Sequence, residues 1–224
     1  MAVPEQRREL ATHTGGFGYY FILALIQTAK MLLTRPRITG KANFPRAGGV
    51  LLVSNHVSIA DPVVLMAASP RPLVFMAKEE VYRSLPARLI LRFWGGSFPV
   101  RRGKNDIGAV RDALALLNAG YPVVVFPEGT RHTTGLGPVL PGVGYLATRA
   151  NCPVLPTAIV GTDQIESIFA LRRRPQFAVH FGEPLEIERT ADARETVDAI
   201  MRRIAALLPP DKRGAYATEP ARAL

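Results

Sequence analysis

Residues Tyr121–Pro127 read "YPVVVFP", an unbroken apolar run closed by a proline. A strand with one wet face alternates apolar and polar side chains, so a run without alternation suits a strand covered on both faces. Upstream, Ile107, Val110, Leu114 and Leu117 recur at i, i+3, i+7 and i+10, one face of a helix that Gly120 closes. Downstream, a helix is expected around Gly142–Ala150, then the strand "PVLPTAIVG" (Pro153–Gly161). Further out, "GVLLVSN" (Gly49–Asn55), "PLVFMAKE" (Pro72–Glu79), "SFPV" (Ser97–Val100) and "FAVHFG" (Phe177–Gly182) read as strands. Helices are expected from Pro62 to about Ala68, over "LPARLILRFWGG" (Leu85–Gly96), and at the end, where Val197, Ile200, Ile204 and Leu207 share a face. Strands alternating with helices, without repeats or a long linker, predict one α/β domain with a mixed, largely parallel sheet flanked by helices.

Composition narrows the choices. The chain has 224 residues, room for one sizeable core, with 48% hydrophobic and 21% charged side chains. Lys and Arg number 28 against 18 Asp and Glu, a net +10 that suits nucleic acid, an anionic membrane or phosphorylated substrates. Aromatic-rich basic strands and a helix-turn-helix pattern are missing, so nucleic acid is not expected as a partner. One cysteine, Cys152, excludes an internal disulfide framework and a four-cysteine zinc site. The four histidines, His13, His56, His132 and His180, show no metal-ligand spacing, and no metal is expected.

The N-terminus stands apart. Phe17–Ala29, "FGYYFILALIQTA", carries no charge but falls short of the ~20 apolar residues that cross a bilayer. Gln27, Lys30 and Thr34 lie on one helical face, Arg7 and Arg8 precede the run, and Lys30, Arg35 and Arg37 follow it. This pattern predicts a helix lying in or weakly spanning an anionic membrane; a buried core helix is the alternative. The expected organisation is a membrane-associating helical segment over 1–36, the main domain over 37–208, and a mobile tail of little periodicity over 209–224.

Three segments near strand ends carry more reactive chemistry than turns require: "NHVSIAD" (Asn55–Asp61), "GGSFPVRRGKND" (Gly95–Asp106) and "FPEGTRH" (Phe126–His132). Strand ends are where open α/β sheets bind ligands. On a regular helix His56 and Asp61 would point apart. Asp61-Pro62 reads as an N-cap and first helical residue, which starts the helix late and frees the preceding turn to fold carboxylate onto imidazole. An Asp accepting from one ring nitrogen fixes the tautomer and leaves the other as a base. The plain alternative is a cap beside a satisfied turn histidine. In the third segment Glu128 and Arg131 share a tight turn; arginine can grip phosphate bidentately and glutamate can orient hydroxyls, or the two can form a structural bridge. In the second, Arg101 directly continues "SFPV", whereas Arg102 and Lys104 suit a solvated loop.

Taken in order, H-x4-D, G-x-F-x-V-R, F-P-E-G-T-R and "CPVLPTAIVG" resemble the glycerolipid acyltransferases of the 1-acylglycerol-3-phosphate O-acyltransferase (lysophosphatidic acid acyltransferase) type. The resemblance runs from about Gly40 to Gly182. It implies His56 as general base and Asp61 as its orienting partner. It also implies Arg101, Glu128, Gly129, Thr130 and Arg131 as the binding site for the acceptor's phosphate and glycerol, with Pro156 in a hydrophobic wall near the acyl chain. Two departures concern the head group: "LGPVLPGVG" (Leu136–Gly144) lacks a lysine often found there, and "PVRR" offers two adjacent arginines.

The implied reaction moves a fatty acyl group from acyl-CoA or acyl-carrier protein to the free hydroxyl of lysophosphatidate, at the cytoplasmic face of the cell membrane. The thioester is a co-substrate, and no cofactor is expected. A G-x-S-x-G elbow is absent and Cys152 reads as core, so direct transfer without an acyl-enzyme is expected. Other acceptors (a glycolipid, a lyso-ornithine lipid, glycerol-3-phosphate) and a non-catalytic lipid- or nucleic-acid-binding role are the alternatives.

Overall fold

The structure, a computed structural model, describes residues 34–78, 97–100, 107–165 and 174–217. The expected helix over 85–96, Arg101, Arg102 and Lys104, and nearly all of the N-terminal segment lie outside these residues. Seven strands of the described residues form one sheet: β1 (Arg35–Thr39), β2 (Val50–Ser54), β3 (Val74–Lys78), β4 (Ser97–Val100), β5 (Pro122–Val125), β6 (Val154–Val160) and β7 (Gln176–Phe181). Their order is β1-β7-β6-β2-β5-β3-β4. Every neighbouring pair is parallel except β6 with β7. The sheet is thus mixed and largely parallel, as the apolar runs suggested.

Among the described residues four helices flank it: α1 (Asp61–Ala68), α2 (Ile107–Asn118), α3 (Gly142–Arg149) and α4 (Ala193–Leu207). The alternation of Cβ directions along a strand divides the core in two. Leu51, Val53, Val123, Val125, Val154 and Ala158 meet α2, α3 and α4 on one face. Val50, Leu52, Val124, Leu155 and Ile159 meet α1 on the other, with Phe44, Phe177, Val179 and Phe181. Both faces of β2 are covered, which is why Val50–Val53 are all apolar and the whole strand, Ser54 included, is buried. On α4, Ile200, Met201 and Ile204 have no exposure, each worth about 1.5–3 kcal/mol of transfer free energy. Asp192 caps that helix by accepting from the Arg194 and Glu195 N–H groups.

Two elements escaped the sequence reading. β1 begins at Arg35 and pairs in parallel with β7, so the boundary expected at 36/37 falls inside a strand. After α4, Pro210–Lys212 and Gly214–Tyr216 form short 3-10 turns where a tail was expected.

The site is placed by the middle of the sheet. β2 lies between β5 and β6, so the chain passes over it on the way from β5 through α3 to β6. Such a crossover opens a crevice beyond the carboxyl ends of the strands.

Candidate active site

Strand β2 stops pairing as a strand at Ser54, and Asn55 takes over with its side chain. Its Nδ2 donates to the Ile159 carbonyl at 2.9 Å and its Oδ1 accepts the Ile159 N–H at 2.7 Å. The amide thereby substitutes for one more residue of ladder, and β6 keeps its hydrogen bonds while the chain turns away.

His56 comes next, and its peptide groups are held from the turn after β5. Its N–H donates to Glu128 Oε2 at 2.9 Å, and its carbonyl accepts the His132 N–H at 2.8 Å. The imidazole stacks on Phe126, centroids 4.2 Å apart and planes 18° from parallel. Its Nδ1 lies 2.8 Å from Asp61 Oδ2, with 15% of the histidine side chain exposed and none of the aspartate's.

Asp61 corrects one expectation. It is the first residue of α1, following Ala60 as N-cap, and its carboxylate turns back instead of capping its own helix. Oδ2 accepts the N–H groups of Val57 (2.6 Å) and Ser58 (2.9 Å), and Oδ1 accepts the Thr162 hydroxyl (2.5 Å). The cause is local: the Asp61 N–H closes a turn onto the Ser58 carbonyl at 3.1 Å, which brings the carboxylate over the N–H groups of 57 and 58. A carboxylate this deeply buried needs such partners to offset lost hydration. An acceptor-only carboxylate facing Nδ1 assigns the proton to that nitrogen and leaves the lone pair on Nε2.

Glu128 lies in the turn where the Gly129 N–H returns to the Phe126 carbonyl at 3.1 Å. Gly129 has φ +66°, a left-handed conformation that favours glycine, and its open side faces the mobile end of the half-exposed Leu140 side chain. Glu128 is 5% exposed, and its second oxygen, Oε1, accepts the Gly137 N–H at 2.6 Å. Burial pushes its carboxyl above the ordinary range, partly offset by those backbone bonds and by the nearby His132 and His56.

His56, Asp61, Glu128 and Gly129 therefore meet in one place, while Thr130 and Arg131 continue the same turn on the exposed surface. Pro156 faces Val53 across the ladder and lines a groove with Phe181, Arg203 and Leu207, apart from the His56 turn. Asn55, Phe126 and His132 fall inside segments picked out from the sequence but were given no role there, and Gly137 and Thr162 were not singled out.

A family model described as Acyltransferase matches residues 35–160, more than half of the chain. A 1-acyl-sn-glycerol-3-phosphate acyltransferase from Borreliella burgdorferi is 27% identical over 128 residues, covering 56% of this chain and 51% of that protein. The human 1-acyl-sn-glycerol-3-phosphate acyltransferase alpha is 32% identical over 137 residues, covering 60% and 48%. A Bacillus subtilis protein of the same description is 25% identical over 175 residues, covering 75% and 82%. The chain thus spans about half the length of the first two. Its fold is similar to the crystal structure of a 1-acyl-sn-glycerophosphate acyltransferase from Thermotoga maritima, with a TM-score of 0.63 at 20% identity, covering 84% of this chain and 81% of that one. The matched span carries both the His56 turn and the Glu128 turn, and the chain belongs to the acyltransferase family.

Proposed function

We propose that the chain transfers a fatty acyl group from the thioester of acyl-CoA or acyl-carrier protein to the free hydroxyl of 1-acylglycerol-3-phosphate, giving phosphatidate. The observation that carries this is the His56 Nδ1 to Asp61 Oδ2 contact of 2.8 Å at the end of a central strand, in a family of acyltransferases. The descriptions of the relatives support the acceptor.

A glycerol hydroxyl ionises far above neutrality and attacks a thioester poorly unless a base removes its proton during attack. His56 Nε2 takes that proton as the hydroxyl oxygen bonds to the thioester carbon. The tetrahedral adduct then collapses, the C–S bond breaks, and the imidazolium returns the proton to the leaving thiolate. Asp61 stays ionised and stabilises the imidazolium. No acyl-enzyme takes part: Cys152 lies before β6, at the end of the parallel β2–β6 pair opposite to His56, and burial pushes its thiol up to about 11.

Arg131, from the exposed end of the Glu128 turn, and Arg101 bind the acceptor phosphate, with Thr130 and Gly129 beside its glycerol. Glu128 offers the substrate only the lone pairs left after its two backbone contacts. The thioester is a co-substrate and no cofactor or metal is needed. The enzyme works at the cytoplasmic face of an anionic membrane, with the apolar, base-flanked N-terminal segment as its contact. Among the described residues no helix is long and apolar enough to cross a membrane.

The test is purified His56→Ala with acyl-CoA and lysophosphatidate, phosphatidate being measured. Loss of at least about a hundredfold in kcat is expected for removal of a general base. Undiminished product would end the assignment.

A further inference from the structure

The segment after α4 returns to the site. Lys212 Nζ donates to the Thr133 carbonyl at 3.0 Å, and the Leu136 N–H donates to the Lys212 carbonyl at 3.2 Å. Gly214, at φ +53°, presses on the same stretch: a Cβ there would meet the Leu136 carbonyl oxygen at 2.2 Å. Tyr216 packs half-buried against the core near Glu128; burial, then Asp198 and more weakly Glu128, push its phenol upward, against the pull of Arg202.

The loop gripped in this way, residues 132–137, holds His56 from both ends. The His132 N–H binds the His56 carbonyl. The Gly137 N–H binds one oxygen of Glu128, whose other oxygen binds the His56 N–H. Val57, His132 and Lys212 also line one narrow cavity with Asn55, so lysine and turn are neighbours. A chain of named contacts runs from the C-terminal turns through the loop to the peptide groups of the base.

We propose that residues 209–216 brace the catalytic turn, and that Lys212 is a positioning residue for acyl transfer. The proposal rests on the reading of His56 as the base. Lys212 acts by fixing the loop that fixes His56, so it sets the placement of the imidazole and leaves substrate affinity alone. A base displaced by a fraction of an ångström loses rate steeply.

The test uses the full chain with Lys212→Ala, Lys212→Arg and Gly214→Val, measuring kcat, both KM values, Tm, and amide exchange of His56, His132 and Gly137 by NMR. Lys212→Ala and Gly214→Val are expected to lower kcat about tenfold. KM values should stay within about twofold, as for an interaction made only in the transition state. Lys212→Arg should recover most of the loss. Exchange should quicken at the His56 and Gly137 amides while β2 and α4 stay protected.

A rise confined to the acceptor KM would make Lys212 a phosphate ligand and overturn the brace. So would unchanged kcat, or a loss that only follows a fall in Tm with uniformly faster exchange. If the wild-type chain transfers no acyl group, the proposed function fails separately and exchange decides the brace alone: quickened amides support it, unchanged ones overturn it.

Discussion

Val53 of β2 faces Val125 of β5 in the parallel ladder, and His56 and Glu128 each follow three positions later. Equal offsets from a matched pair bring the histidine N–H and the glutamate carboxylate to 2.9 Å across 72 residues of chain.

Glu128→Gln tests what that contact contributes. The amide keeps one acceptor but turns its NH2 toward an N–H, of His56 or of Gly137. A drop in kcat of about tenfold and a stability loss of about 1–3 kcal/mol are expected for the buried donor left unpaired. The pH dependence has a definite sign. Because burial raises the folded carboxyl, the folded chain binds a proton that the unfolded chain has released, and this contribution to stability is lost as pH rises above the ordinary 4.5 through the raised value. Denaturant titrations over that window should show a smaller decline for Glu128→Gln than for wild type. Wild-type kcat in the variant would remove Glu128 from its role in holding the turn.

Thr162 supplies the contact on the far oxygen of Asp61. Thr162→Val keeps the shape and deletes the hydroxyl, and the loss of a hydrogen bond to a buried charge predicts a fall in kcat/KM of roughly tenfold, about 1.4 kcal/mol. Thr162→Ser should retain most of the activity. Equal rates for the valine and serine enzymes would show that the hydroxyl does not orient the pair.

His180 ties β7 to the edge strand through a 2.6 Å contact of its Nδ1 with the Thr39 hydroxyl. Burial, then the charge of Arg37, lowers its pKa below the ordinary 6.5. The unfolded chain therefore takes up the proton first, and the contribution is complete above 6.5 and is lost as pH falls through the depressed value. Thermal melts taken as pH falls from 6.5 through the depressed value should decline less for His180→Gln. An identical decline in both proteins would locate the acid sensitivity elsewhere.

Much of the sheet was readable because β2, β5 and β6 are buried on both faces and are made almost wholly of apolar residues. β1 was not: "RPRIT" has one large apolar residue, Ile38, and becomes a strand by pairing with β7. His56 and Asp61 could be read together because they are near in sequence. The contacts of Asn55 with Ile159, Asp61 with Thr162 and His56 with Glu128 depend on which strands are neighbours, and strand order is a property of the assembled sheet. The late helix start expected at Pro62 missed for a related reason: the carboxylate answers to the N–H groups behind it, which a capping rule does not count.

The Asn55 amide has a consequence for how this fold can vary. By pairing with the Ile159 N–H and carbonyl, it lets β2 end at Ser54 without leaving those groups of β6 unpaired. The contacts around the base tie together three short stretches next to the strand ends: from Val53 to Asp61, from Val125 to Gly137, and from Ile159 to Thr162. A change of length within any of these stretches would pull the base, its partner and the turn that holds them out of their spacing.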